Sequence, residues 1–226
     1  MPNESTQKIV RAVHDRLQYV QTMGVTEIPA TAGAVRATRD ARRATDLAAI
    51  RAEIGDCTRC GLCAGRTNLV FGVGDPHARL MFVGEAPGAE EDRLGEPFVG
   101  RSGQLLDKII GAMGLSRATV YIANIIKCRP PDNRAPLPTE ALICRPFLLQ
   151  QIAVIKPAVI VCLGSTAVKY LFDDESIKIS QVRGIFREWN GVHVMPTYHP
   201  AFLLRNPAMK KPVWDDMRKV MSLLRQ

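Results

Sequence analysis

The sequence predicts an α/β domain in which a parallel β-sheet is covered by helices on both faces. Two observations carry that expectation. Four short apolar runs lie beyond residue 79: Leu80–Val83, Val120–Ile126, Ala158–Leu163 and Val192–Met195. Helical stretches at 103–113, 139–154 and 165–172 follow the first three runs. A continuous apolar run reads as a strand buried on both faces, and alternation with helices is how parallel strands are joined.

The remaining elements follow in chain order. Ile9, Val10, Val13, Leu17 and Val20 recur at helical spacing within 5–23, which predicts a short amphipathic helix. Residues 24–45 are rich in Ala, Thr, Gly and Arg and read as a flexible linker. The domain division expected is therefore 1–50, helix plus linker, and 51–226, folded. Asn190-Gly191 is a type I′ hairpin signal that feeds a short antiparallel arm into the fourth strand. A helix over 212–225 closes the domain.

The chain has 226 residues with 46% hydrophobic and 23% charged content, which excludes disorder throughout. Its net charge is +8, and residues 57–226 hold 22 of the 30 basic and 15 of the 22 acidic side chains. The excess thus sits on the folded part and points to an anionic partner. No apolar run approaches the length of a membrane span, and the N-terminus lacks a signal-peptide core, so a soluble cytoplasmic protein is expected.

Ligands of open α/β sheets bind at the carboxyl ends of the strands. Here those ends carry Gly84-Glu85-Ala86-Pro87-Gly88, then Asn124, then Gly164-Ser165, then Thr197-Tyr198-His199-Pro200. Glu85, Asn124 and His199 are predicted to share one rim. The stretch Gly84–Gln104 has the glycines of a phosphate loop but also Glu85, Glu90, Glu91, Asp92 and Glu96, which repel phosphate. It lacks the Lys-Ser/Thr of a P-loop. A neutral ligand, or a positioned water, is the expectation.

Six cysteines in an intracellular chain point to metal or chemistry, not to a disulfide framework. Cys57, Cys60 and Cys63 match the start of a ferredoxin-type run, but position 67 is Thr. Four ligands from Cys57, Cys60, Cys128 and Cys144 are the natural count, with Cys63 left over or an alternative. Spacing leaves zinc and iron–sulfur both open. Cys162, mid-strand, reads as a small buried hydrophobe.

Three motifs in order, GEAPGAEEDRLGEPFVGRSGQLL (84–106), YIANIIKCRPPDNR (121–134) and MPTYHPAFLLR (195–205), together with the cysteines followed by VFGVGDP, resemble the family 4 uracil-DNA glycosylases of the uracil-DNA glycosylase superfamily. The resemblance covers about 57–225. It implies a three-layer α/β/α sandwich on a four-stranded parallel central sheet. It implies a [4Fe–4S] cluster on Cys57, Cys60, Cys128 and Cys144, regarded as structural. It implies that a uracil flipped out of single- or double-stranded DNA stacks on Phe98, is read by Asn124 and is excised with help from His199 at O2. Glu91 takes the place that excludes thymine, because Gly88 stands where some relatives keep a tyrosine. Ala86 stands where better-known relatives place an aspartate, so Glu85 is the candidate for positioning water. Asn133 and Arg134 are expected at the site rim or on phosphate. Arg101, Ser102 and Ser165 are weaker phosphate candidates. Leu203 is the expected wedge into the gap left by the base. The expected product is free uracil and an abasic site, from a monomer whose residues 1–56 tether or recruit a protein partner. A non-catalytic iron–sulfur or redox protein is the competing expectation.

Overall fold

The computed structural model describes residues 46–225. The helix expected over 5–23 and the linker over 24–45 lie outside them.

The described chain opens with α1 (Leu47–Ile54), capped by the Asp46 side chain. This helix runs across the division expected at residue 50. Its buried Ile50 and Ile54 pack on Phe147 of α4 (Pro138–Ile155). The four apolar runs form β2 (Leu80–Gly84), β3 (Tyr121–Asn124), β4 (Val159–Leu163) and β6 (Val192–Thr197), all mutually parallel.

The sheet has six strands, where four were expected, in the order β1-β3-β2-β4-β6-β5. Antiparallel edge strands flank the parallel core: β1 (Val73–Gly74) beside β3, and β5 (Arg187–Trp189) beside β6. β5 is the hairpin arm predicted from Asn190-Gly191, and both residues take the positive φ of that turn, 48° and 79°. β1 is two residues long and half exposed, too short to leave an apolar run.

Alternation along the buried strands divides the core. Met81, Val83, Tyr121, Ala123, Ile160, Cys162 and Val194 face α4 and α5 (Ser165–Phe172). Leu80, Phe82, Ile122, Val159, Val161 and Met195 face α3 (Arg101–Ala112) and α8 (Lys210–Leu224). Helices on both sheet faces give the three layers expected. Leu106 and Ile110 of α3 are fully buried, each stabilising the layer by about 1.5–3 kcal/mol.

Three short helices carry the loops: α2 (Ala89–Leu94), α6 (Ile179–Val182) and α7 (Pro200–Arg205). The strand order reverses about β2, whose neighbours β3 and β4 are reached in opposite directions. That switch point is where a cleft is expected. No described helix is long and apolar enough to cross a membrane.

Candidate active site and cysteine pocket

A cleft of about 800 Å³ opens at the carboxyl ends of the parallel strands. Its walls include Glu85, Ala86, Glu91, Phe98, Asn124 and His199, which the sequence places on three separate segments.

Glycine at 84 is what lets two of them meet. A Cβ there would collide with both the Phe98 ring and Asn124 Oδ1. Asn124 ends β3 only 1% exposed, and its Oδ1 has no hydrogen-bond partner. A buried orphaned acceptor is unfavourable by about 1–3 kcal/mol, so it signals a missing donor.

Phe98 holds φ at 55°, an unfavourable conformation for an aromatic residue. Arg117 fixes that turn, donating to Phe98 O and Pro97 O while pairing with Asp107. Gly103 lets α3 lie against the Phe98 backbone, where a Cβ would overlap it.

The His199 ring stands 5.5 Å from the Phe98 ring. Its Nδ1 accepts from the Ala201 amide at 3.1 Å, so the neutral ring carries its proton on Nε2. Burial, then the Arg205 charge, pushes the imidazole down to about 4 against a weaker opposing pull from Glu91. The ring is therefore neutral at physiological pH.

Four of the five acids of the glycine-rich stretch are engaged, two by backbone amides and two by side chains. Glu91 accepts from the amides of Gly88, Val99 and Gly100 at 3.1, 2.9 and 2.8 Å. Buried Asp92 accepts from Thr67 and Asn68, and Glu90 pairs with Arg93. Glu85 accepts from Thr166 Oγ1. What reads in sequence as one loop is thus a short helix stapled at both ends.

The rim carries Arg101, Ser102, Asn133, Arg134 and Arg205. Asn133 accepts from Arg129, and Arg134 is held bidentately by Glu140. Ser165 begins α5 and is not among the residues lining the cleft. The expected wedge, Leu203, is 1% exposed: α7 turns it into the core, so it cannot enter a base stack. Leu204, 44% exposed, is the leucine at the cleft.

Cys57, Cys60, Cys128 and Cys144 line a second, small cavity with Ile54, Leu69 and Phe147. Cys63 is not part of that lining; its amide donates to Cys60 O. Among the described residues no three His, Cys, Asp or Glu side chains converge to hold a single ion. Four thiols lining one cavity are a donor set suited to a metal centre, whether zinc or iron–sulfur.

The sulfurs have donors ready. Arg59 reaches Cys57 Sγ at 3.3 Å, Arg66 reaches Cys128 Sγ at 3.4 Å, and the Lys127 amide reaches Cys144 Sγ at 3.3 Å. Burial raises the Cys60 and Cys128 thiols and pushes Cys144 up to about 12. Cys162 is fully buried in β4, away from this pocket.

Several of these residues escaped sequence reading. Arg117 and Thr166 sit in segments with no distinguishing pattern, whereas Leu204 and Arg205 lie within the 195–205 motif but which of its side chains face the cleft depends on how α7 turns. Lys127 did carry a signal, the lone charge in the otherwise uncharged Tyr-Ile-Ala-Asn-Ile-Ile-Lys-Cys.

Comparison with known proteins agrees with this geometry. The model of the uracil DNA glycosylase superfamily matches residues 71–218. A type-4 uracil-DNA glycosylase of Thermotoga maritima is 46% identical over 173 residues, 75% of this chain and 90% of that protein. One from Archaeoglobus fulgidus is 44% identical over 178 residues, 76% of this chain and 89% of that protein. A type-5 uracil-DNA glycosylase of Pyrobaculum aerophilum is 32% identical over 144 residues, 57% of this chain and 63% of that protein. With its cleft, its cysteine pocket and these relatives, the chain belongs to the uracil-DNA glycosylase superfamily, among the type-4 enzymes.

Proposed function

We infer that this chain hydrolyses the N-glycosidic bond of uracil in DNA, releasing the base and leaving an abasic site for repair. The observation that carries the reading is the orphaned Oδ1 of Asn124, buried at the floor of a cleft between Phe98 and His199. Uracil presents an N3–H donor beside an O4 acceptor, and one carboxamide answers both. Cytosine has the inverse pattern and would leave buried groups unpaired.

A base inside a duplex cannot reach this floor, so it must leave the stack. Phe98 supplies the stacking face. Bond cleavage puts negative charge on O2, and the neutral His199 offers Nε2–H to it. With Ala86 in place of an aspartate, no carboxylate stands at that position to activate water. Glu85, fixed by Thr166, is the acid left to position the water that attacks C1′. Leu204 fills the gap in the stack, and Arg101 and Arg205 meet phosphate. Cys57, Cys60, Cys128 and Cys144 would hold the [4Fe–4S] cluster, which when bound cross-links the segment after α1 to that after β3.

The test is release from a single-uracil oligonucleotide, read as alkaline strand breakage. Wild type should turn over, and His199→Ala should be roughly 100-fold slower or worse. Equal rates would sink the assignment of His199. No release by iron-loaded wild type would sink the function.

A further inference from the structure

Lys127 is among the largest fully buried side chains of the described residues, 1% exposed. Its ammonium donates to the backbone oxygen of Asn124 at 2.9 Å and to Gln151 Oε1 at 2.7 Å. Gln151 in turn donates to Phe71 O and to the Tyr121 hydroxyl. All of these acceptors are neutral, and Lys127 has no carboxylate partner among the described residues. A buried cation with only neutral partners is strongly unfavourable unless an anion lies close.

The nearest anionic chemistry is the cysteine pocket. Lys127 lines it, its amide donates to Cys144 Sγ, and the next residue is Cys128. The other two cations there are otherwise provided for: Arg66 pairs with Asp56, and Arg59 lies over the Phe147 ring. Four thiolates around an iron–sulfur core carry net negative charge, which gives the buried ammonium its counterion.

The second consequence is positional. Fixing the Asn124 carbonyl fixes the peptide plane after the last residue of β3, and with it the direction of the Asn124 side chain. We propose that Lys127 is a positioning residue that serves both sites at once, neutralising the cysteine-bound cluster and aiming the uracil-reading carboxamide. The cluster is then coupled to base recognition and does more than cross-link the chain. This rests on the reading of the four cysteines as a cluster site and of Asn124 as the uracil reader.

The holoenzyme tests it with two readouts: bleaching of the cluster's visible absorbance by an iron chelator, and the split between kcat and KM on a single-uracil oligonucleotide. Iron-loaded, uracil-releasing wild type secures the underlying reading first, so its failure is distinct from failure of the proposal. Lys127→Met should bleach on the order of 10- to 100-fold faster and lose kcat by a similar factor, with KM near wild type because phosphate is gripped at the rim. Lys127→Arg keeps the charge but not the reach to both oxygens. It should hold iron nearly as wild type does and still lose kcat. Gln151→Met, which keeps the ammonium but cuts one of its tethers, should lose kcat several-fold, and is the decisive variant if Lys127→Met does not fold. Wild-type bleaching and kcat in Lys127→Met, or faster bleaching with unchanged kcat, overturns the proposal, as does wild-type kcat in Gln151→Met.

Discussion

Asn124 shows how a single residue can be both structurally wrong and functionally right. A buried acceptor without a donor weakens the fold, and under the proposed function the N–H of a bound base supplies that donor. Asn124→Ala removes both the acceptor and the amide donor. Uracil release should fall roughly 100-fold in single turnover, the effect of about 2–3 kcal/mol, with binding of undamaged DNA unchanged. His199 makes a prediction in pH. Its ring is held well below the ordinary imidazole range, and protonation at Nδ1 would set a second donor against the Ala201 amide. The folded state thus binds fewer protons than the unfolded chain between about 6.5 and about 4. The stability this supplies is complete above the unfolded value and is lost as pH falls through that window. The contribution of His199 to single-turnover rate, taken as the ratio of wild type to His199→Ala, should stay flat from neutral pH down to about 5 and fall only toward about 4. A midpoint near the ordinary imidazole value would show that the ring is not buried as described.

At the scale of elements, what the sequence disclosed and what it hid have different physical causes. The four parallel strands were legible because burial on both faces demands unbroken apolar runs, and the site rim followed because such sheets bind at their carboxyl ends. Helix α2 was hidden. Its six residues, AEEDRL, have no apolar face, and its anchors are acids bonded to amides of distant segments. No periodicity encodes a contact of that kind. Leu203 and Leu204 were indistinguishable for a related reason: which leucine of α7 faces the core depends on how the helix leaves the His199-Pro200 turn. Glu91 was expected as a thymine gate, yet its carboxylate gathers three amides from two sides of the Phe98 turn. Glu91→Ala should therefore cost about 2 kcal/mol and lower Tm by roughly 4–8 °C for a domain of this size. It should also raise KM and lower kcat together as Phe98 drifts. An unchanged Tm in differential scanning calorimetry would return Glu91 to the status of a rim acid.

At the scale of the whole molecule, a net charge of +8 points to an anionic partner but not to where it binds. The structure separates the arginines at the cleft by what already holds them. Arg134 is committed to Glu140, which is 7% exposed and held below the usual carboxylate range chiefly by that guanidinium. Arg101 and Arg205 are exposed, line the cleft and have no carboxylate partner among the described residues. Only an arginine free to exchange water and counterions for a phosphate adds to the salt dependence of binding. Each phosphate contact contributes about −0.9 to the slope of log K against log salt on duplex DNA and about −0.7 on single strands. Arg101→Ala and Arg205→Ala should each flatten that slope by about one contact, measured by fluorescence anisotropy across a salt series with a uracil oligonucleotide bound to a His199→Ala background. Discrimination of uracil from cytosine, which the proposed function assigns to Asn124, should not move with either change. Arg134→Ala should do the reverse, leaving the slope near its starting value while lowering Tm, because it strands a buried carboxylate. A slope that flattens equally in all three variants would mean that Glu140 releases Arg134 when DNA arrives, and that the ion pair is part of the binding surface.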